Sequence, residues 1–157
     1  MAGNSFAFGS YATQSVFLGF AGNAANPASY YNTATGYRAL YNTMAGNNTA
    51  TGVSALYSNT TGSANTATGV SALQSNTFGT DNTATGVSAL YVNTTGSSNT
   101  VDGANALAGN TTGSYNTASG RTALGRNATG SGNTASGFFA LVENTTGSYN
   151  TALGYQA

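Results

Sequence analysis

Asn65-Thr-Ala-Thr-Gly-Val-Ser-Ala-Leu-Gln-Ser-Asn-Thr-Phe-Gly-Thr-Asp81 leads straight into Asn82-Thr-Ala-Thr-Gly-Val-Ser-Ala-Leu-Tyr-Val-Asn-Thr-Thr-Gly-Ser-Ser98, so one 17-residue phrase is written twice. Working outward, Asn-Thr-Ala-x-Gly (Val101 replaces Ala in one copy) recurs with its Gly at Gly36, Gly52, Gly69, Gly86, Gly103, Gly120, Gly137 and Gly154. The interval is 16 once and 17 six times, and the short one lacks a residue between Gly46 and Asn48. The opening Asn is place one of each unit. Ala holds place eight from Ala39 to Ala157, and Leu follows it from Leu40 to Leu141. A second Gly recurs from Gly46 to Gly147, while places six, seven, ten and eleven vary freely.

Fixed small residues with free neighbours mark equivalents stacked at close quarters, the signature of a repeat architecture. A helical unit would have to hold two Gly and several Thr and Asn, all poor interior helix formers. A β-rung fits: two short strands of four to six residues, each closed by a turn where Gly supplies φ > 0. Ser15-Val-Phe-Leu-Gly19 is a variant rung, and Ser5-Phe-Ala-Phe-Gly9 reads as a further one on a shorter connection. Residues 1–31 thus form divergent rungs or a cap, and residues 32–157 the regular β-roll. Steps of about 4.8 Å over the eight intervals from Gly19 to Gly154 give a rod of about 38 Å, along which the opening Asn can form an amide ladder.

Composition excludes much. Ala, Gly, Ser, Thr and Asn supply 112 of 157 residues, and net charge is zero from three Arg and three acidic residues, with no His. Without clustered Lys and Arg there is no means of neutralising phosphates, so nucleic acid is not an expected partner. No apolar run reaches membrane-spanning length, and no membrane insertion is expected. Absence of Cys removes disulfides and thiolate metal sites. A nucleophilic Ser has no His or Lys as base, and Asp81, Asp102 and Glu143 occupy unlike places in the unit. No enzyme activity, catalytic residue, cofactor or metal is therefore expected; Asp102 with Asn99 and Asn105 offers only one carboxylate to Ca²⁺.

Period-two reading of Asn-Thr-Ala-Thr-Gly points Ala inward and both Thr outward, and assigns Ala and Leu of places eight and nine to opposite faces. That interior is thin for one chain, given about 1–2 kcal/mol of backbone entropy per ordered residue. The expectation is an all-β, repetitive β-solenoid packed as a parallel homotrimer, with Leu40, Leu56, Leu73, Leu90, Leu107, Leu124 and Leu141 as the column between chains. The Asn-Thr-Ala-x-Gly-x-x-Ala-Leu pattern resembles the head repeat of YadA-like trimeric autotransporter adhesins. Asn150-Thr-Ala-Leu-Gly-Tyr-Gln-Ala157, with the Asn-Thr-Thr-Gly linkers, is similar to repeats of phage tail fibres. The resemblance implies a trimeric left-handed β-roll serving adhesion or a fibre shaft, extracellular on a cell surface or virion.

Three surfaces are candidate sites. Thr33/Thr35, Thr49/Thr51, Thr66/Thr68 and Thr83/Thr85 form stacked Thr-x-Thr pairs that resemble the ice-binding face of antifreeze solenoids, before Asp102 interrupts them. Asn59, Asn93, Asn110, Asn127 and Asn144 share one place and read as glycosylation sequons, with Asn47 another. Tyr41, Tyr57 and Tyr91 share a column, as do Tyr115 and Tyr149, available to sugars, a receptor or a second copy. The last rung offers a strand edge for end-to-end filament stacking, with the aromatic start (Phe6, Phe8, Tyr11, Phe17, Phe20) as complement. The expected function is a non-enzymatic structural or adhesive fibre segment, with host-surface receptor or glycan as partner. The alternative is a monomeric ice-binding solenoid.

Overall fold

The computed structural model describes residues 7–10, 14–19 and 30–157. Ten strands follow in chain order: β1 (Ala7–Ser10), β2 (Ser15–Leu18), β3 (Thr33–Thr35), β4 (Thr49–Thr51), β5 (Thr66–Thr68), β6 (Thr83–Thr85), β7 (Thr100–Asp102), β8 (Thr117–Ser119), β9 (Thr134–Ser136) and β10 (Thr151–Leu153). From β2 onward each pairs in parallel with the next, in the register the repeat dictates, such as Ala67 beside Ala84. The chain is a parallel β-solenoid with rungs about 17 residues apart and no helix among the described residues.

Of the two divergent rungs read from the sequence, the structure keeps one and overturns the other. Ser15–Leu18 is a true rung, with Phe17 over Ala34, and the Ser15 hydroxyl accepts the Asn32 N–H that an Asn carbonyl takes elsewhere. The segment around Phe8 is not a rung: β1 runs antiparallel to β2, pairing Ala7 with Leu18 and Ser10 with Ser15. An interval of 10 residues, from Gly9 to Gly19, is too short for a full turn of the 17-residue unit. Phe6, Tyr11 and Phe20 lie outside the described residues, and Phe8 is described in its backbone alone.

Each regular rung has one three-residue strand rather than two longer ones. The opposite wall is built from turns in which places seven and nine take left-handed φ, as at Ser88 (54°) and Leu90 (53°). Inter-rung hydrogen bonds continue through this wall regardless: Leu90 N–H donates to Ala106 C=O, and Ser88 N–H to Val70 C=O. Left-handed φ at Leu overturns the period-two reading. Ala89 and Leu90 both point inward, and the whole column from Leu40 to Leu124 is 0% exposed within one chain. The leucines are therefore the interior of a single solenoid and not a seam between chains. For a Leu, left-handed backbone costs about 1–2 kcal/mol, while full burial of its side chain contributes about 1.5–3 kcal/mol. Burial wins, and the Leu N–H bond adds to it.

Amides fill the rest of the interior. At place one, Asn99 N–H and Nδ2 donate to Asn82 Oδ1, and Nδ2 also reaches Gly113 C=O. At place twelve, Asn93 Nδ2 donates to Asn76 Oδ1 and Gly96 C=O, both at 2.8 Å, while its Oδ1 accepts from Asn110. The amide ladder expected for the opening Asn is present, and a second one runs beside it. No buried side-chain nitrogen or oxygen among the described residues lacks a partner.

Glycine at place five is required twice over. Gly86 has φ of 130°, and a Cβ there would lie 2.6 Å from the Gly103 carbonyl group. Gly154 has a similar φ of 122° with nothing within 4 Å. Gly86→Ala is thus expected to add an overpacking cost of about 1–3 kcal/mol to the backbone strain of about 1–3 kcal/mol that Gly154→Ala incurs alone. Urea denaturation of the two variants separates these contributions, and equal losses would contradict the packing argument.

Candidate functional site

The strand wall presents the Thr array. In β3–β6 both Thr of each strand are exposed and the Ala between them is buried. In-register pairing places Thr33, Thr49, Thr66 and Thr83 in one column and Thr35, Thr51, Thr68 and Thr85 in the next. Rung spacing and strand rise make a grid of about 4.8 by about 6.6 Å. Thr continues in the first column through Thr151, but the second changes to Asp102, Ser119, Ser136 and Leu153.

The turn wall carries aromatic and aliphatic columns. Tyr41 and Tyr57 stack with centroids 5.6 Å apart and rings within 8° of parallel. Gln74 takes the same place in the next rung and separates them from Tyr91. The Arg38 guanidinium lies 5.1 Å from the Tyr37 ring centre and also faces Tyr41 and Tyr57. Residue types gave no sign of this cluster, which needs Arg38 to be turned outward by its left-handed backbone (φ 58°). Beside it, Tyr37, Val53, Val70 and Val87 form an outward apolar stripe about half exposed. Tyr115 and Tyr149 are exposed on a separate edge, two rungs apart across Gly132.

The sequon column is corrected. Asn59, Asn93, Asn110 and Asn127 are fully buried, and Asn144 is partly buried in the same ladder. Each Nδ2 donates to an acceptor in the preceding rung and to the Gly carbonyl three residues on. A glycan bond would consume that nitrogen and require an exit to solvent that the folded rung does not have. Asn47 alone of the six is exposed.

The acidic residues do not converge. Asp102 faces outward from β7, whereas the Asn99 amide is buried inside the rung, so the two cannot share a cation. Asp81 is exposed, and Glu143 pairs with Arg126 on the turn wall. Among the described residues no three His, Cys, Asp or Glu gather into a metal-sized group, and no helix is long and apolar enough to cross a membrane. No protein-family model, curated protein or solved structure matches the chain.

Proposed function

We propose that the chain is a non-enzymatic structural and adhesive fibre segment, the shaft or head of a surface adhesin or tail fibre acting outside the cell. The two amide ladders carry this reading. They devote the Asn amides of places one and twelve to tying rung to rung, as a rigid rod requires. Amides stacked in register are also the device that stabilises cross-β fibres.

In this reading copies lie side by side, three in parallel as the resemblance to YadA-like heads implies. The Leu column is unavailable for that contact. The outward stripe of Tyr37, Val53, Val70 and Val87 takes its place, because a continuous exposed apolar strip marks an interaction surface. Light scattering after size exclusion is expected to give three times the 15.5 kDa chain mass. Val87→Lys is expected to yield a folded monomer, since Arg121 already occupies this place in another rung. A wild-type monomer would overturn the assembly.

One observation favours a second reading. The eight outward Thr of β3–β6 make a regular array of hydroxyls and methyls over buried Ala, suited to ordering water against an ice surface. Thermal hysteresis from a monomer, abolished by Thr68→Lys, would replace the fibre with an ice-binding solenoid.

A further inference from the structure

The turn wall changes character over three consecutive rungs. Place ten is Tyr41, Tyr57, Gln74 and Tyr91 in the first four regular rungs, then falls to Ala108, Gly125 and Val142. In those same rungs place seven grows from Ser88 to Asn105, Thr122 and Phe139, and place eleven becomes Arg126 and Glu143. The small residues leave an open groove of about 450 Å³ between the two ridges, within the size of small-ligand sites. Its backbone is rearranged as well. Place-eleven N–H groups donate to the next rung from Asn42 to Gly109, whereas in the two rungs that follow the place-ten N–H groups of Gly125 and Val142 donate to the Thr122 and Phe139 carbonyls of their own rungs.

We propose that this groove binds a neutral pyranose unit of a glycan, which gives the adhesive reading above its ligand class and rests on that reading. The floor of Ala108, Gly125 and Val142 is apolar, and Phe139 supplies an aromatic wall. Phe138 holds that ring edge-on at 4.3 Å and itself stacks on Tyr155, so the wall is fixed in orientation. A sugar ring has an apolar C–H face for such a surface and hydroxyls around its edge. Asn105, Thr122 and Gln156 around the groove provide neutral donors and acceptors for those hydroxyls. Arg126 and Glu143 neutralise each other, which leaves no free charge for an anionic or cationic ligand. A purely apolar ligand would leave the amides unused.

The test is saturation-transfer NMR on the full chain, with the methyl glycosides of glucose, galactose, mannose and N-acetylglucosamine and with glucuronate as a charged control. Transfer to ring C–H protons of at least one neutral glycoside is expected. It should vanish in Phe139→Ser, a residue that Ser54, Ser71 and Ser88 show to be accepted at this place, and in Ala108→Tyr, which extends the Tyr91 column into the groove. Tyr57→Gln, outside the groove, should retain it. No transfer to any neutral glycoside, transfer surviving both groove variants, or a stronger response to glucuronate would each overturn the proposal. The mass measured on the same sample keeps the two readings apart: an assembled rod without transfer sinks only the groove, and a monomer with transfer sinks only the assembly.

Discussion

Leu90→Asn is expected to unfold the single chain, not merely to separate chains from one another. Leu90 is 0% exposed between Leu73 and Leu107 in the axial column. Asn tolerates its φ of 53° at least as well as Leu, so the backbone gains nothing unfavourable from the change. What remains is the loss of core packing, about 2–5 kcal/mol for truncation of a buried Leu. A buried amide without a partner adds about 1–3 kcal/mol. Together these rival the whole stability of a typical domain, about 5–15 kcal/mol. Circular dichroism melting at low protein concentration should show an unfolded chain or a steeply lowered midpoint. A stable, folded Leu90→Asn monomer would return the leucines to an interface and overturn the single-chain core.

The second large effect is expected in the amide ladder. Asn93→Ala removes the donor to Asn76 Oδ1 and the acceptor for Asn110 Nδ2. Asn76 Oδ1 is left buried and unpaired at a cost of about 1–3 kcal/mol, and Asn110 Nδ2 keeps only its bond to the Gly113 carbonyl. Gly96 C=O keeps a partner in Asn82 Nδ2, so the damage is confined to the place-twelve ladder. Asn93→Asp conserves the shape but replaces a donor with a carboxylate facing two acceptor oxygens. Desolvation and those acceptors raise the folded-state titration of this carboxyl above its unfolded value near about 4. Proton binding then favours the folded state, so the Asp variant should be weakest at neutral pH and recover as the pH falls. Urea midpoints across pH for wild type, Ala and Asp variants check both claims. An Asp variant equal to wild type at neutral pH would mean that the ladder carries no stability.

Thr43 indicates how the ladder tolerates change. It fills place twelve of the first regular rung, and its hydroxyl accepts from Asn59 Nδ2 at 3.3 Å. Ser15 does the same for place one by accepting from Asn32 N–H. Hydroxyls thus stand in for amides where the stack begins, whereas every later rung has the full amide.

The repeat by itself determined the period, the stacking axis, the strand at Thr-Ala-Thr with Ala inward and Thr outward, and the ladder of opening Asn. These follow from local rules: strand alternation at places two to four, Gly where backbones nearly touch, and identical side chains meeting in register. Only the tertiary structure decided that Ala and Leu of places eight and nine both face inward, because a left-handed Leu is locally unfavourable and is held there by burial. It also decided which way the sequon Asn turn, since Asn-Thr-Thr-Gly reads equally well as an exposed turn and only closure of the rung points the amide at its stacked neighbours. The groove was present in the sequence as Ala108, Gly125 and Val142, but a missing side chain becomes a site only where the walls beside it are fixed.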